Sequence, residues 1–227
     1  NVWQVRSGAL TPEEQAQVIE ALSTEVAPID RGQSTFDVVN PAVGAEVTRA
    51  AIFAVLAATV IILGFIWFAF RKVPHAIRYG ACAIIAMLHD VLVTMGVMAL
   101  LGLLFGWQAD ALFLTAVLTV VGFSVQDSIV VFDRIRENLP RYRGEDYETV
   151  VNRSVLETIH RSLATQLNAF FIMVAILLFG GDSIKQFIAI LFIGLLSGTY
   201  SSIFNAVPLL VAWEKGELPF TRKRANA

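Results

Sequence analysis

The sequence is poor in charged residues, cysteine and histidine, and each shortage narrows the possible functions. Charged residues make up 16% of the 227 positions, whereas a soluble domain has about 25%. The single cysteine, Cys82, excludes an intrachain disulfide, and its place inside an apolar run predicts a packing role. A net charge of −2, without a basic stripe carrying aromatic residues, argues against a nucleic-acid partner.

Motifs for catalysis and metal binding are also missing. The three histidines show no HExxH spacing. Adjacent helical residues point about 100° apart, so His89 and Asp90 form a poor two-ligand metal site. The segment GFSVQ, residues 122–126, lacks the second glycine of a nucleophile elbow. We therefore expect no metal, no cofactor and no enzymatic activity.

Long apolar runs dominate what is present. The chain is 56% hydrophobic, with a mean hydropathy of +0.65. A run of about 18 or more apolar residues predicts a membrane-spanning helix. The runs are too long and too uncharged for barrel strands, so we predict an all-α polytopic membrane bundle. Its five spans are expected at about 50–70, 77–105, 111–132, 163–180 and 188–213.

Residues 1–47 are polar and predict part of an α+β domain outside the membrane. Strands are expected at VWQVRS and at STFDVVN, which ends at Asn40-Pro41. Between them, Thr11, Pro12 and Glu14 form the capping box of a helix. A strand, a helix and a strand are half of a small domain. We expect the missing half upstream, because the chain starts at Asn1 without an initiator Met.

Basic residues indicate the orientation. They are concentrated between spans one and two, between spans three and four (133–160), and in the tail 215–227. The positive-inside rule assigns these three segments to the cytoplasm and the amino-terminal domain to the outside. Within the second segment, EDYETVVNRSVLETIH predicts an amphipathic helix on the inner membrane surface, or a plain connector.

The third span carries Asp127 among apolar residues. Asp127 lies six residues before Asp133, or roughly 10 Å inside the membrane boundary at about 1.5 Å per residue. A charge at the centre of a span costs roughly 2.5–3.5 kcal/mol. Asp127 should therefore face the bundle interior, with Gln126 beside it in a polar segment. It acts in proton passage or locks helix packing through hydrogen bonds.

Arg161 is the expected partner of Asp127. It enters the fourth span from the same side and follows Asp127 by 34 residues, enough for a helix end, a loop and a return. The alternative is an arginine that anchors a helix end at the membrane surface. Asp90, near the middle of the second span, is either a second proton-accessible carboxylate or a buried structural one.

The fifth span contains a small-xxx-small pattern. Gly194 and Gly198 are four residues apart, and Ser201 follows. Such residues let helix backbones approach closely. The pattern predicts a tightly packed face.

Four segments of the chain can be compared with known families: VGFSVQDSIVVFDRIREN, LHDVLVTMGV, VVNPAVGAEVTRAAI and SVLETIHRSLATQLNAF. The first resembles the signature of the SecF family, the smaller partner in the SecD–SecF protein-export complex. The other three resemble segments of that family in order and spacing. The resemblance covers nearly the whole chain, apart from the family's first span and the start of its external domain. A truncated SecF, or the SecF-like end of a fused SecD–SecF chain, would fit.

The resemblance implies a fold of the resistance–nodulation–division type in the bacterial inner membrane. It implies SecD, the SecYEG translocon, a translocating preprotein and membrane lipids as partners, with the proton gradient as energy source. The family's proton-passage residues fall on Asp127 and Arg161. The alternatives are a proton-coupled exporter of small molecules or lipids, and a scaffold that moves no protons.

Overall fold

Helices form every regular element of the described chain. The computed structural model describes residues 10–25, 41–71, 73–107 and 109–218. The chain divides into two compact units, residues 1–49 and 50–227. The helices are α1 Pro12–Glu25, α2 Pro41–Ala69, α3 Ala76–Phe105, α4 Ala111–Asn138, α5 Tyr147–Phe179, α6 Asp182–Ser201, a π-helix Ser202–Ala206 and α7 Val207–Lys215.

The first unit contains α1, which begins where the capping box predicted. The Thr11 amide donates to Glu14 Oε2 at 2.8 Å, and the Glu14 amide donates to Thr11 Oγ1 at 3.4 Å. Hydrogen bonds from Thr11 hold the pKa of the Glu14 carboxyl below its usual range. The two strands predicted on either side of α1 fall outside the described residues, so the α+β domain stays a prediction.

Five helices are long and apolar enough to cross a membrane, as the hydropathy pattern predicted. They cover Thr48–Ala69, Ala76–Phe105, Leu112–Asn138, Tyr147–Phe179 and Ile184–Lys215. The last is built from most of α6, the π-helix and α7. Pro208 lacks an amide hydrogen and would clash with the Phe204 carbonyl in a regular helix. The widened π-turn immediately before it accommodates this residue.

Most of the segment 133–160, predicted as a cytoplasmic loop, is helical. α4 continues to Asn138, and α5 begins at Tyr147, so the connection is only 139–146. The segment predicted as an amphipathic helix, 145–160, is helical from Tyr147 and continues without a break into the rest of α5; its place on the inner membrane surface stays a prediction. Its inward side buries Val150, Val151 and other residues, and this packing keeps the helix continuous.

Two apolar clusters form the core of the second unit. One includes Val120, Ile190 and Leu195 from α4 and α6. The other includes Phe70 and Tyr79, whose rings stack with centroids 5.4 Å apart. Cys82 is fully buried in the second cluster, which confirms its packing role.

Three polar segments meet at one end of the bundle. Arg136, near the end of α4, donates to the Ala69 carbonyl at 3.0 Å. Arg78 pairs with Glu214 of α7 at 2.9 Å, and Lys215 pairs with Glu148 of α5. The α2–α3 turn, the α4–α5 connection and the end of α7 therefore lie on the same side, as the alternation of spans requires.

Candidate functional site

Asp90 lies at the meeting point of α3, α4 and α6 and is completely buried. Three serine hydroxyls donate to its carboxylate: Ser124 and Ser201 to Oδ2, both at 2.6 Å, and Ser197 to Oδ1 at 2.7 Å. His89 Nδ1 is 3.1 Å from Oδ1. Through these hydrogen bonds the carboxylate ties three helices together.

The glycines of α6 make this arrangement possible. A Cβ at Gly194 would lie 2.1 Å from Val120 Cγ2, and one at Gly198 would lie 3.2 Å from the Ser124 Cα. Only residues without a side chain allow α6 to come this close to α4. Gly194, Gly198 and Ser201 thus lie on the side of α6 that packs against α4 and holds Asp90.

Asp127 faces a different neighbour. It is 5% exposed and accepts a hydrogen bond from Nε2 of Gln166 on α5. Gln166 is its single hydrogen-bond donor among the described residues. Ser124 and Ser128, one turn before and one residue after it, are buried as well. Asp127 is thus inside the bundle, as predicted, but with fewer partners than Asp90.

Arg161 does not pair with Asp127 in this conformation, which corrects the expected ion pair. Arg161 is exposed on the outer surface of the bundle, and the described residues show no contact between its guanidinium and the Asp127 carboxylate. Gln166 follows it by five residues, which is a turn of about 140° around the helix. The side of α5 that reaches Asp127 is therefore different from the side that carries Arg161.

Gln126 is also exposed, on the outer surface of α4. Its neighbour Asp127 points inward because adjacent helical residues differ by about 100°. In this chain the structure therefore brings Gln126 to the outer surface and separates it from the buried carboxylates.

One buried polar row escaped the sequence analysis. Ser154, Thr158, Ser162 and Gln166 repeat at every fourth position of α5, and all are buried. The signal was present as a four-residue spacing of polar residues. It went unseen because the first half of this segment was assigned to a surface helix and the second half to a separate span.

Within the described residues, no group of three or more His, Cys, Asp or Glu side chains could hold a metal ion. The chemistry available here is therefore that of two buried carboxylates and their hydroxyl and amide donors. Such groups can bind a proton or fix the packing of helices.

The bundle and its buried carboxylates define a polytopic membrane protein. Comparison with known sequences identifies its family. The family model described as "Protein export membrane protein SecD/SecF, C-terminal" matches residues 18–216, and the chain belongs to this family.

Individual relatives agree. The chain is 58% identical over 179 residues to "Protein translocase subunit SecF" of Thermobaculum terrenum, covering 79% of this chain and 56% of that relative. It is 48% identical to the protein of the same name from Anaerolinea thermophila, covering 96% of this chain and 70% of that one.

A solved structure agrees as well. The crystal structure of SecDF in its super-membrane-facing form is similar with a TM-score of 0.73 and 32% identity. The match covers 92% of this chain and 27% of that chain.

Proposed function

We propose that this chain is the SecF part of a translocase that uses the proton gradient to promote protein export. Asp127 is its proton-binding group. The supporting observation is that the Asp127 carboxylate is buried inside a membrane bundle and accepts a hydrogen bond from a single donor among the described residues, Gln166. A buried and incompletely hydrogen-bonded acidic group costs free energy when it is charged. Binding a proton removes this cost.

Proton binding would act through the contacts of Asp127. The ionised carboxylate accepts from Gln166; the protonated form would gain a hydroxyl and become a donor. Arg161 takes part in a second conformation, in which α5 has moved relative to α4 and its guanidinium pairs with ionised Asp127. One charge crossing a potential of 100 mV is worth about 2.3 kcal/mol, which biases two conformations by roughly fifty-fold.

SecD is the proposed membrane partner. Arg161 and Gln126 lie on the outer surface of this bundle, and polar side chains facing lipid are unfavourable. A neighbouring membrane segment would cover them. The similar solved structure is a SecDF chain of which this one covers 27%, which leaves room for such a segment. SecYEG, the preprotein and surrounding lipids complete the proposed assembly.

The proposed setting is the bacterial inner membrane. The bundle end where the α2–α3 turn, the α4–α5 connection and α7 meet carries the basic segments, so it faces the cytoplasm by the positive-inside rule. The amino-terminal domain faces outward. The proton gradient supplies the energy, and no cofactor or covalent step is part of the proposal.

The test replaces Asp127 with Asn in the complete translocase. Asp127→Asn keeps the size of the side chain but cannot release a proton. In proteoliposomes, proton flux and gradient-dependent export should fall more than tenfold, while the ATP-driven first step of export stays normal. Asp133→Asn is the matched control, because Asp133 is six residues further along α4 and 45% exposed beside Arg136. Unchanged flux in a correctly assembled Asp127→Asn complex would contradict the proposal.

The scaffold alternative predicts a different pattern. If the complex is a scaffold that moves no protons, proteoliposomes with and without it should show the same proton flux. Asp127→Asn should then leave export unchanged. The two functions therefore separate in one experiment.

A further inference from the structure

We infer that the buried polar row of α5, Ser154, Thr158, Ser162 and Gln166, lines a hydrated path between Asp127 and the bundle end that carries the α4–α5 connection. The inference rests on the proposed function, because it assumes that Asp127 is the group that exchanges protons. It adds the route and the residues that form it.

The row is continuous along one side of the helix. The exposed fractions are 0% for Ser154, 8% for Thr158, 6% for Ser162 and 5% for Gln166. Residues four apart lie one turn above each other. Twelve residues at about 1.5 Å each give a row of roughly 18 Å. This length is more than half the thickness of a bilayer's hydrocarbon core, which is about 30 Å.

Both ends of the row contact polar groups of α4. At the inner end, Gln166 donates to Asp127. At the other end, Asn138 Nδ2 donates to Ser154 Oγ at 3.0 Å and to Glu157 Oε2 at 2.8 Å. Glu157 is 31% exposed and also pairs with Arg134. The row therefore starts at a partly exposed charged group and ends at the buried carboxylate.

Two buried atoms along the row have no hydrogen-bond partner among the described residues: Ser162 Oγ and Asn138 Oδ1. Ser154 and Thr158 donate to carbonyls one turn back, those of Val150 and Ser154, at 2.8 and 2.9 Å. Ser162 makes no such bond. A buried polar atom without a partner is costly, and ordered water is its usual partner in protein interiors.

The position of these two atoms favours a path over isolated sites. Asn138 Oδ1 lies at the outer end of the row, and Ser162 is one turn before Gln166. The buried α4 residues between Asp127 and Asn138 are Ser128, next to Asp127, and then the apolar Val131, Phe132 and Ile135. Water would therefore be held by the α5 hydroxyls, and removing one of them should interrupt the path.

The first measurement is proton flux through the complete translocase in proteoliposomes. Thr158→Val and Ser162→Ala keep the approximate shape but remove a hydroxyl, and each should lower flux at least fivefold. Thr165→Val is the matched control: Thr165 is on the same helix, exposed, and donates to the Arg161 carbonyl at 3.0 Å. Its flux should stay within twofold of the parent protein.

The second measurement reports hydration directly and needs no proton transport. Thiols react as thiolates, which form in water and not in an apolar interior. In a Cys82→Ala background, Ser162→Cys should react with a charged methanethiosulfonate at least tenfold faster than Met173→Cys. Met173 is the control because it is buried on the same helix, beyond Gln166, in the apolar cluster.

The outcomes separate the path from the proposed function. If Asp127→Asn abolishes flux but Thr158→Val and Ser162→Ala do not, the path is overturned and the proposed function stands. If Ser162→Cys is as slow as Met173→Cys, the path is overturned whatever the fluxes are. If Asp127→Asn keeps normal flux, the proposed function fails, and the path fails with it as a proton route even if Ser162→Cys reacts quickly.

Discussion

Asp90 and Asp127 lie in the same bundle, and the difference between them is the number of groups that satisfy each carboxylate. Asp90 accepts from three serines on α4 and α6 and contacts His89. Asp127 accepts from Gln166 alone among the described residues. Two carboxylates that look alike in the sequence therefore have different environments.

The comparison shows that two buried acids of one bundle can differ in how completely their carboxylates are hydrogen-bonded. A carboxylate surrounded by hydroxyl donors holds helices together. A carboxylate with a single donor keeps free acceptor capacity, so a proton, a water molecule or a cation can bind there. The proposed function makes Asp127 the proton-binding group and leaves Asp90 to hold three helices together. Substitutions at three positions around Asp90 test this difference.

The largest expected effect on stability comes from Asp90→Leu. It leaves three hydroxyls without an acceptor, and hydrogen bonds between membrane helices are worth about 0.6 kcal/mol on average and up to about 1.7 kcal/mol. We expect the free energy of unfolding in mixed detergent to fall by about 3 kcal/mol. Asp127→Leu should change it by about 1 kcal/mol or less. Equal losses would contradict the distinction between the two acids.

A smaller effect is expected from Gly194→Ala, which would push α6 away from α4 and loosen the serines around Asp90. The new methyl carbon would lie 2.1 Å from Val120 Cγ2, and such overpacking costs about 2 kcal/mol. Gly122→Ala on α4 is the control, since a Cβ there has nothing within 4 Å. Thermal unfolding of the purified complex measures both. Similar unfolding temperatures for the Gly194→Ala and Gly122→Ala variants would show that the close approach of α6 to α4 is not needed for stability.

The smallest effect is expected from Ser201→Ala, which removes one of the three serine donors to Asp90. We expect a loss of about 1 kcal/mol. In a protein that already carries Asp90→Leu, Ser201→Ala should cost almost no further stability, because the carboxylate that accepts from Ser201 is already gone. Ser128→Ala serves as control, since the one acceptor of Ser128 among the described residues is the Ser124 carbonyl, at 3.5 Å. Additive losses from Ser201→Ala and Asp90→Leu would show that Ser201 acts independently of Asp90.

The apolar runs and capping signals predicted much of the fold. The five spans and the start of α1 follow from composition and local spacing, and the structure places them where these patterns indicated. The sequence analysis divided α5 into two separate segments, and the reason is clear. Its first half has polar residues on several sides, and the sequence does not show that α4 extends to Asn138 to cover them.

The candidate site was predicted less completely. Burial of Asp127 follows from the cost of a charge in lipid, and that part was right. Its partner was chosen by opposite charge and similar depth, which favoured Arg161. The structure selects Gln166 instead, because the direction in which a helical side chain points depends on how the helix is rotated against its neighbour.

The sequence by itself determined that this chain is a membrane bundle with acidic groups inside it, since hydropathy and the cost of burying charge are properties of local composition. Only the tertiary structure decided which acid is held by three helices and which has a single donor. Those environments are built from residues far apart in the chain, such as Asp90 with Ser201, and only helix packing brings them within hydrogen-bond distance.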